Sequence, residues 1–484
     1  MRIRGTTGID NLTGTRHADE IFALDGNDFI MGGRGRDHID GGPGTDWVSY
    51  VDSPVGVFVS LLDGTGSGGT AQGDTLVSIE ILAGSNHNDI LFGDNNENFL
   101  YGLDGDDSLF GLGGDDHLIG GRGNDLLAGG AGADHLSGGL GIDTASYEES
   151  PDRVEVSLER DGEDGHGTGG TADGDTLVGI ENLIGSLHDD QLRGNAGANR
   201  LEGLAGDDIL FGFQGADHLL GGRGADILIG GMGADHLDGG AGDNDTAAYT
   251  DSLVGVDVNL EVGLGFSGTA LGDVLERIEN LIGSDRADVL VGDGGTNVLE
   301  GGRGPDQLVG GGGDDHLFGG RERTPSVGDP TGDPIGDPIF VPTPPDGNDT
   351  LTGGRGADRL DGGTGADELT GGRDADTFVW MSVRDTGVTP DTWDTITDFN
   401  RGQGDLIDLT VIDADETTPG HQDFTAASFI GDASGGFPAP GQIGFNQSDG
   451  DTFIIINTNG DAAGDAVIHL MGTYTPDWSW FVHV

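Results

Sequence analysis

Residues 120–139 read GGRGNDLLAGGAGADHLSGG, and the pattern returns to its start after nine residues. Each nine holds two glycines, a third glycine two places on, an aspartate at the sixth position and an apolar residue at the eighth. A glycine-rich turn followed by x-U-x predicts a very short strand whose one inward apolar residue cannot bury itself alone. Units must therefore stack. Two units facing one another make a flattened coil, and successive coils pair their strands in parallel around a narrow leucine interior. The fold class expected is all-β: parallel β-roll arrays, interrupted by β-hairpin inserts and followed by an antiparallel β-domain.

Five arrays share the pattern. Their sixth-position aspartates are Asp10, Asp19, Asp28, Asp37 and Asp46; Asp89, Asp107, Asp116, Asp125, Asp134 and Asp143; Asp190, Asp208, Asp217, Asp226 and Asp235; Asp288, Asp306 and Asp315; and Asp349, Asp358, Asp367 and Asp376. One extra residue moves the last aspartate of the third array to Asp245, and Asn98, Asn199 and Asn297 replace aspartate in second units, where weaker or empty sites are expected. The arrays are placed at 1–49, 84–146, 185–246, 283–320 and 346–376, with β inserts at 50–83, 147–184 and 247–282. A Pro/Gly-rich exposed loop is expected at 321–345, and a C-terminal domain at 377–484.

In a coil of two units, residue i lies over residue i+18, so Asp107 nears Asp125 and Asp116 nears Asp134. Like charges stacked at strand spacing repel unless a cation lies between them. Glycines allow left-handed turns that aim carbonyl oxygens inward, and carboxylates complete an all-oxygen cage suited to Ca2+. The aspartates above are the expected metal ligands. Pairs eighteen apart suggest about a dozen structural ions, with affinities on the order of 0.1 to 1 mM. Folding assembles such a cage, so binding energy becomes folding energy.

Composition narrows the function. Acidic residues number 86 against 21 basic ones, all arginine, for a formal net charge of -65. Nucleic acid and anionic membrane are poor partners for such a chain. The absence of cysteine removes disulfides, thiolate zinc sites and cysteine nucleophiles. No apolar stretch reaches the length of a signal peptide or a membrane span, so export is expected by another route.

GGRGNDLLA and GGAGADHLS resemble the nonapeptide of the RTX, or haemolysin-type calcium-binding, family. That resemblance implies a parallel β-roll with calcium in its turns and export of the unfolded chain by a type I secretion apparatus. DTFVW, DTWDTITDFNRGQGDLIDL and the strands up to AVIHLMG are similar to the C-terminal domain of serralysin-type metalloproteases, over residues 346 to 484. In that family this region carries the uncleaved secretion signal.

The three inserts align with one another. Val57, Val59 and Leu61 alternate as a half-buried strand, as do Val154, Val156, Leu158 and Val256, Val258, Leu260, so hairpins that extend or cap the roll are expected. Each insert also holds G-x-G-x-x-G, but a turn and a strand follow it where a dinucleotide site needs a helix. Glu80, Glu181 and Glu279 are weighed between the first calcium of the next array and a hydrogen bond to the turn. His38, His117, His135, His218, His236 and His316 follow the repeat aspartate and are expected to be solvated, with a zinc- or nickel-binding row as the lesser reading.

The H-E-x-x-H of a serralysin catalytic domain is missing, as are G-x-S-x-G and every lysine. The expected function is a non-catalytic, secreted, calcium-folded structural, adhesive or matrix component. The alternative is a calcium-dependent module for cell-surface or matrix polysaccharide, or an accessory to an extracellular polysaccharide- or protein-degrading enzyme.

Overall fold

A computed structural model describes residues 1–158, 162–242, 244–320, 347–414, 422–434, 436–437, 439–459 and 464–482. The expected loop at 321–345 lies outside them. The chain forms two compact units, one of residues 1–230 with 238–242, the other of 231–237 with 243–484.

In the first unit the x-U-x tripeptides become strands in two parallel ribbons. Phe99–Asp104 pairs with His117–Arg122, which pairs with His135–Leu140, so Leu100, Leu118 and Leu136 stand in one column. The facing ribbon stacks Ile90–Phe92, Ser108–Gly113 and Leu126–Ala131, aligning Leu91, Leu109 and Leu127. All six leucines are completely buried. Each strand gives one side chain to the interior, so every coil depends on its neighbours. Leu118→Ala is expected to cost about 2–5 kcal/mol, read as a lowered denaturant midpoint, because a cavity between packed coils cannot collapse without shifting a register.

The inserts extend the ribbons. In the first, Phe58–Ser60 lies parallel on Ile90–Phe92, Thr75–Val77 lies parallel on His38–Asp40, and Thr65–Ser67 runs antiparallel between them. The chain thus steps forward, folds back once and returns. The second insert does the same on the opposite ribbon, with Glu155–Ser157, Gly165–Thr168 and Thr176–Val178 between Gln191–Arg193 and His135–Leu140. The G-x-G-x-x-G stretches hold strands, and short 3-10 turns, Gly69–Ala71 and Gly170–Ala172, follow from their last glycine where a nucleotide fold would need a long helix.

The second unit repeats this plan. Asp257–Asn259 pairs antiparallel with Leu264–Ser267 and parallel with Val289–Val291, and Gln307–Gly312 pairs in register with Thr350–Arg355. Antiparallel strands were expected directly after Asp376, but two parallel rungs come first. Asp394–Ile396 stacks on Glu368–Arg373, and Leu406–Asp408 on Thr377–Val379. WDTI and GDLI keep the D-x-U order of the repeat without its glycines, which is enough for the pairing. Gln442–Ser448, Asp451–Asn457 and Ala466–Leu470 then form the antiparallel sheet, which buries its own Ile454 and Ile468; Phe378, Trp380 and Phe399 of this region are buried as well.

Candidate metal centres

The sixth-position aspartates form buried ladders. In each, a backbone N–H donates to Oδ1 of the aspartate one coil on: Asp89 to Asp107 at 2.8 Å, Asp107 to Asp125 at 2.9 Å, Asp116 to Asp134 at 2.7 Å, Asp125 to Asp143 at 2.8 Å. The same bond joins Asp10 to Asp28, Asp19 to Asp37, Asp28 to Asp46, Asp190 to Asp208, Asn199 to Asp217 and Asp208 to Asp226. In the second unit it joins Asp288 to Asp306, Asn297 to Asp315, Asp349 to Asp367 and Asp358 to Asp376. Asp306 reaches Asp349 at 2.7 Å and Asp315 reaches Asp358 at 2.9 Å, so the ladder keeps step although 43 residues separate each pair. Asp235 donates to Asp273 at 2.9 Å.

The second oxygen is different. Oδ2 of Asp28, Asp37, Asp46, Asp107, Asp116, Asp125, Asp134, Asp143 and Asp208 is buried without a hydrogen-bond partner, as are those of Asp315, Asp358 and Asp376. A Cβ on Gly102, Gly111, Gly120 or Gly129 would strike Oδ2 of Asp107, Asp116, Asp125 or Asp134, so the first glycine of the unit leaves a cradle that only the carboxylate enters. The Gly120 carbonyl oxygen faces the same space, 2.6 Å from where a Cβ on Gly102 would stand. No group of three or more His, Asp or Glu side chains converges among the described residues. A cation in these turns would draw its remaining ligands from carbonyls, a donor set of hard oxygens that fits Ca2+.

Burial is the largest influence on these groups, opposed by the one backbone N–H and reinforced by stacked carboxylates. It pushes Asp107 up to about 7, with Asp89 and Asp125 as the repelling neighbours. Asp116 and Asp208 rise to about 8 and Asp125 and Asp134 to about 6 by the same means. Such shifts mark carboxylates whose charged form lacks a counterion.

Not every predicted ligand has that environment. Asp89 Oδ2 accepts the Ser85 N–H at 2.5 Å and Oδ1 accepts the Ser85 hydroxyl at 2.9 Å; Ser186 holds Asp190 and Ser284 holds Asp288 in the same way. Thr6 and Thr15 donate to Oδ2 of Asp10 and Asp19. Asn98, Asn199 and Asn297 each accept a backbone N–H of their own turn, from Asp94, Asn195 and Asp293.

Five ladder aspartates escaped the sequence reading. Asp74, Asp175 and Asp273, one per insert, accept the N–H of Asp37, Asp134 and Asp235; Asp394 and Asp405 accept those of Asp367 and Asp376. The signal was the D-x-U of GDTL, GDVL, WDTI and GDLI, hidden by the missing G-G-x-G. Glu80, Glu181 and Glu279 accept the N–H of Asp46, Asp143 and Asp245 at 2.8–2.9 Å, standing in for a ladder carboxylate at the start of the next array. The histidines lie on the outer faces of the strands. His38 and His135 bond the Thr75 and Thr176 hydroxyls, and His117 stacks on Phe99 with ring centroids 4.4 Å apart.

A parallel roll with paired carboxylates in glycine turns defines a class of calcium-repeat protein. The family described as RTX calcium-binding nonapeptide repeat matches residues 2–30, 22–50, 83–118, 110–145, 184–212 and 211–245. The family described as peptidase M10 serralysin C terminal matches residues 269–478. Residues 2–245 therefore carry RTX repeats and residues 269–478 a serralysin-type C-terminal region, a match that begins well before residue 346. No curated protein matches it significantly. Among solved structures it is similar to a subunit of the mannuronan C5-epimerase of Azotobacter vinelandii, at 24% identity over 41% of this chain and 78% of that one, with a TM-score of 0.20. No helix is long and apolar enough to cross a membrane among the described residues.

Proposed function

We propose that the chain is a calcium-loaded, non-catalytic roll that crosses a type I secretion apparatus unfolded and folds outside as a structural, adhesive or matrix component. RTX repeats joined to a serralysin-type C-terminal region support type I export to the extracellular space. The sixth-position aspartates would hold the ions, Oδ2 and turn carbonyls together, and the ions would supply the positive charge that the buried carboxylates lack. One observation carries the reading: buried Oδ2 atoms repeated from coil to coil with no donor of their own. A buried charge without a partner costs several kcal/mol, and a ladder of them opposes folding until cations enter. In a calcium-poor cytosol the chain stays exportable. Outside, calcium at about 1 mM against a Kd on the order of 0.1 to 1 mM adds about 0.4–1.4 kcal/mol per site to the folded state, summed over the ladder.

Far-UV circular dichroism of the chelated chain at neutral pH is expected to show coil, and calcium at about 1 mM to bring the β signal. Magnesium at equal concentration is expected to fail, because it demands six ligands at about 2.1 Å and dehydrates reluctantly. A β spectrum indifferent to EGTA overturns the proposal. The calcium-folded chain is also expected to leave alginate, pectin and casein intact; product from any of them refutes the non-catalytic part.

A further inference from the structure

The turns fall into two kinds, and the backbone at the second position of the unit separates them. Where that residue is left-handed, Oδ2 of the unit's aspartate has no donor. Gly121 (φ 117°) goes with Asp125 and Gly130 (φ 101°) with Asp134. The rule holds even where a bulky side chain must be forced into this conformation, at Leu103 (φ 90°) before Asp107 and Leu112 (φ 80°) before Asp116. A β-carbon makes that conformation unfavourable, so the strand pairing of Leu103 with Gly121 must hold it. Where the second residue is Ser85, Ser186 or Ser284, φ is not positive and its N–H closes onto Oδ2.

A closed carboxylate has spent its second oxygen on protein donors, and a cation there would have to displace a buried hydrogen bond. The rungs that end the first, second and fifth arrays are closed too, by a different donor. The Tyr50 hydroxyl donates to Asp74 Oδ2 at 3.4 Å and Tyr147 to Asp175 Oδ2 at 3.1 Å. Trp380 Nε1 donates to Asp394 Oδ2 at 2.6 Å. A buried aromatic donor occupies the place that the repeat leaves for a cation.

We infer that calcium is confined to the left-handed turns, and that the serine turns opening the second, third and fourth arrays, with the aromatic-capped rungs beyond the arrays, are metal-free boundaries of each calcium block. This rests on the calcium reading above. It narrows the simple count of one ligand per repeat aspartate: Asp89, Asp190 and Asp288, and in the first array Asp10 and Asp19 beneath the Thr6 and Thr15 N–H groups, are hydrogen-bond acceptors and not calcium ligands.

The test uses the full chain saturated with calcium, dialysed and assayed for bound metal. The triple variant Asp89→Asn, Asp190→Asn, Asp288→Asn is expected to retain the wild-type number of ions. The triple variant Asp107→Asn, Asp208→Asn, Asp315→Asn is expected to lose at least one ion per substitution. Equal losses from both overturn the inference. Should either variant not fold, anomalous scattering from wild-type crystals grown in calcium decides. Peaks are expected in the turns of Asp107 and Asp116, and a peak in coordination distance of Asp89, Asp190 or Asp288 refutes the boundary. Wild-type protein without bound calcium sinks the functional reading itself, a result separate from either of these.

Discussion

Gly123→Ala is expected to destabilise the calcium-loaded chain by about 3–5 kcal/mol, while Gly8→Ala, at the same fourth position of its unit, changes stability by no more than about 1 kcal/mol. Gly123 has φ 135°, and a Cβ there would strike the Gly105 carbonyl oxygen of the preceding coil. Both obstacles are backbone, so no rotamer relieves them. The turns must part, and parting stretches the bond from Asp107 to Asp125 on which the ladder depends. Gly8 belongs to the first coil, where nothing lies within 4 Å of the added carbon. Its substitution removes unfolded-state entropy without meeting a neighbour. Calcium-dependent denaturation of both variants measures the contrast. Equal midpoints would mean that coil contact is not what the fourth glycine serves.

That contrast shows where sequence is sufficient. The ninefold period places Asp107, Asp125 and Asp143 in one column, and leucines at the eighth position place the core, because both follow from spacing alone. The inserts were legible as strands but not as ladder rungs. Asp74 and Asp175 take their place through pairing with His38–Asp40 and His135–Leu140, partners 37 and 41 residues back, and no local motif marks such a distance. Left-handed Leu103, Leu112 and Phe213 (φ 75°) were beyond sequence for a related reason. Propensity assigns that conformation to glycine, and here the stacked coil overrules it. Ser85 and Ser186 could have been read: a hydroxyl residue four places before an aspartate can close a turn on that carboxylate, and both stand at the opening of an array.

The metal-free chain is expected to recover β structure on acidification, and its calcium affinity to fall as it does so. Asp116 and Asp208 sit at about 8, Asp107, Asp315 and Asp376 at about 7, and Asp46 and Asp358 at about 6. Burial is the main cause in each, with neighbouring carboxylates adding to it. An unfolded aspartate titrates near 3.9, so the folded, metal-free ladder binds protons more tightly than the unfolded chain. Folding is then favoured where those protons are present, fully below the unfolded pKa, and the contribution is lost as pH rises through 6 to 8. A proton is thus a weak substitute for calcium, neutralising the carboxylate without bridging two of them. Circular dichroism of the chelated chain should show more β signal at about pH 5 than at about pH 8.5. Calcium titrations across the same range should show tighter binding at the alkaline end, with protons released on binding towards about pH 5, where the metal-free chain is folded and its ladder protonated. A calcium affinity that stays flat over this interval would mean that the carboxylates are already ionised in the metal-free fold, and that something other than missing counterions keeps the unloaded chain open.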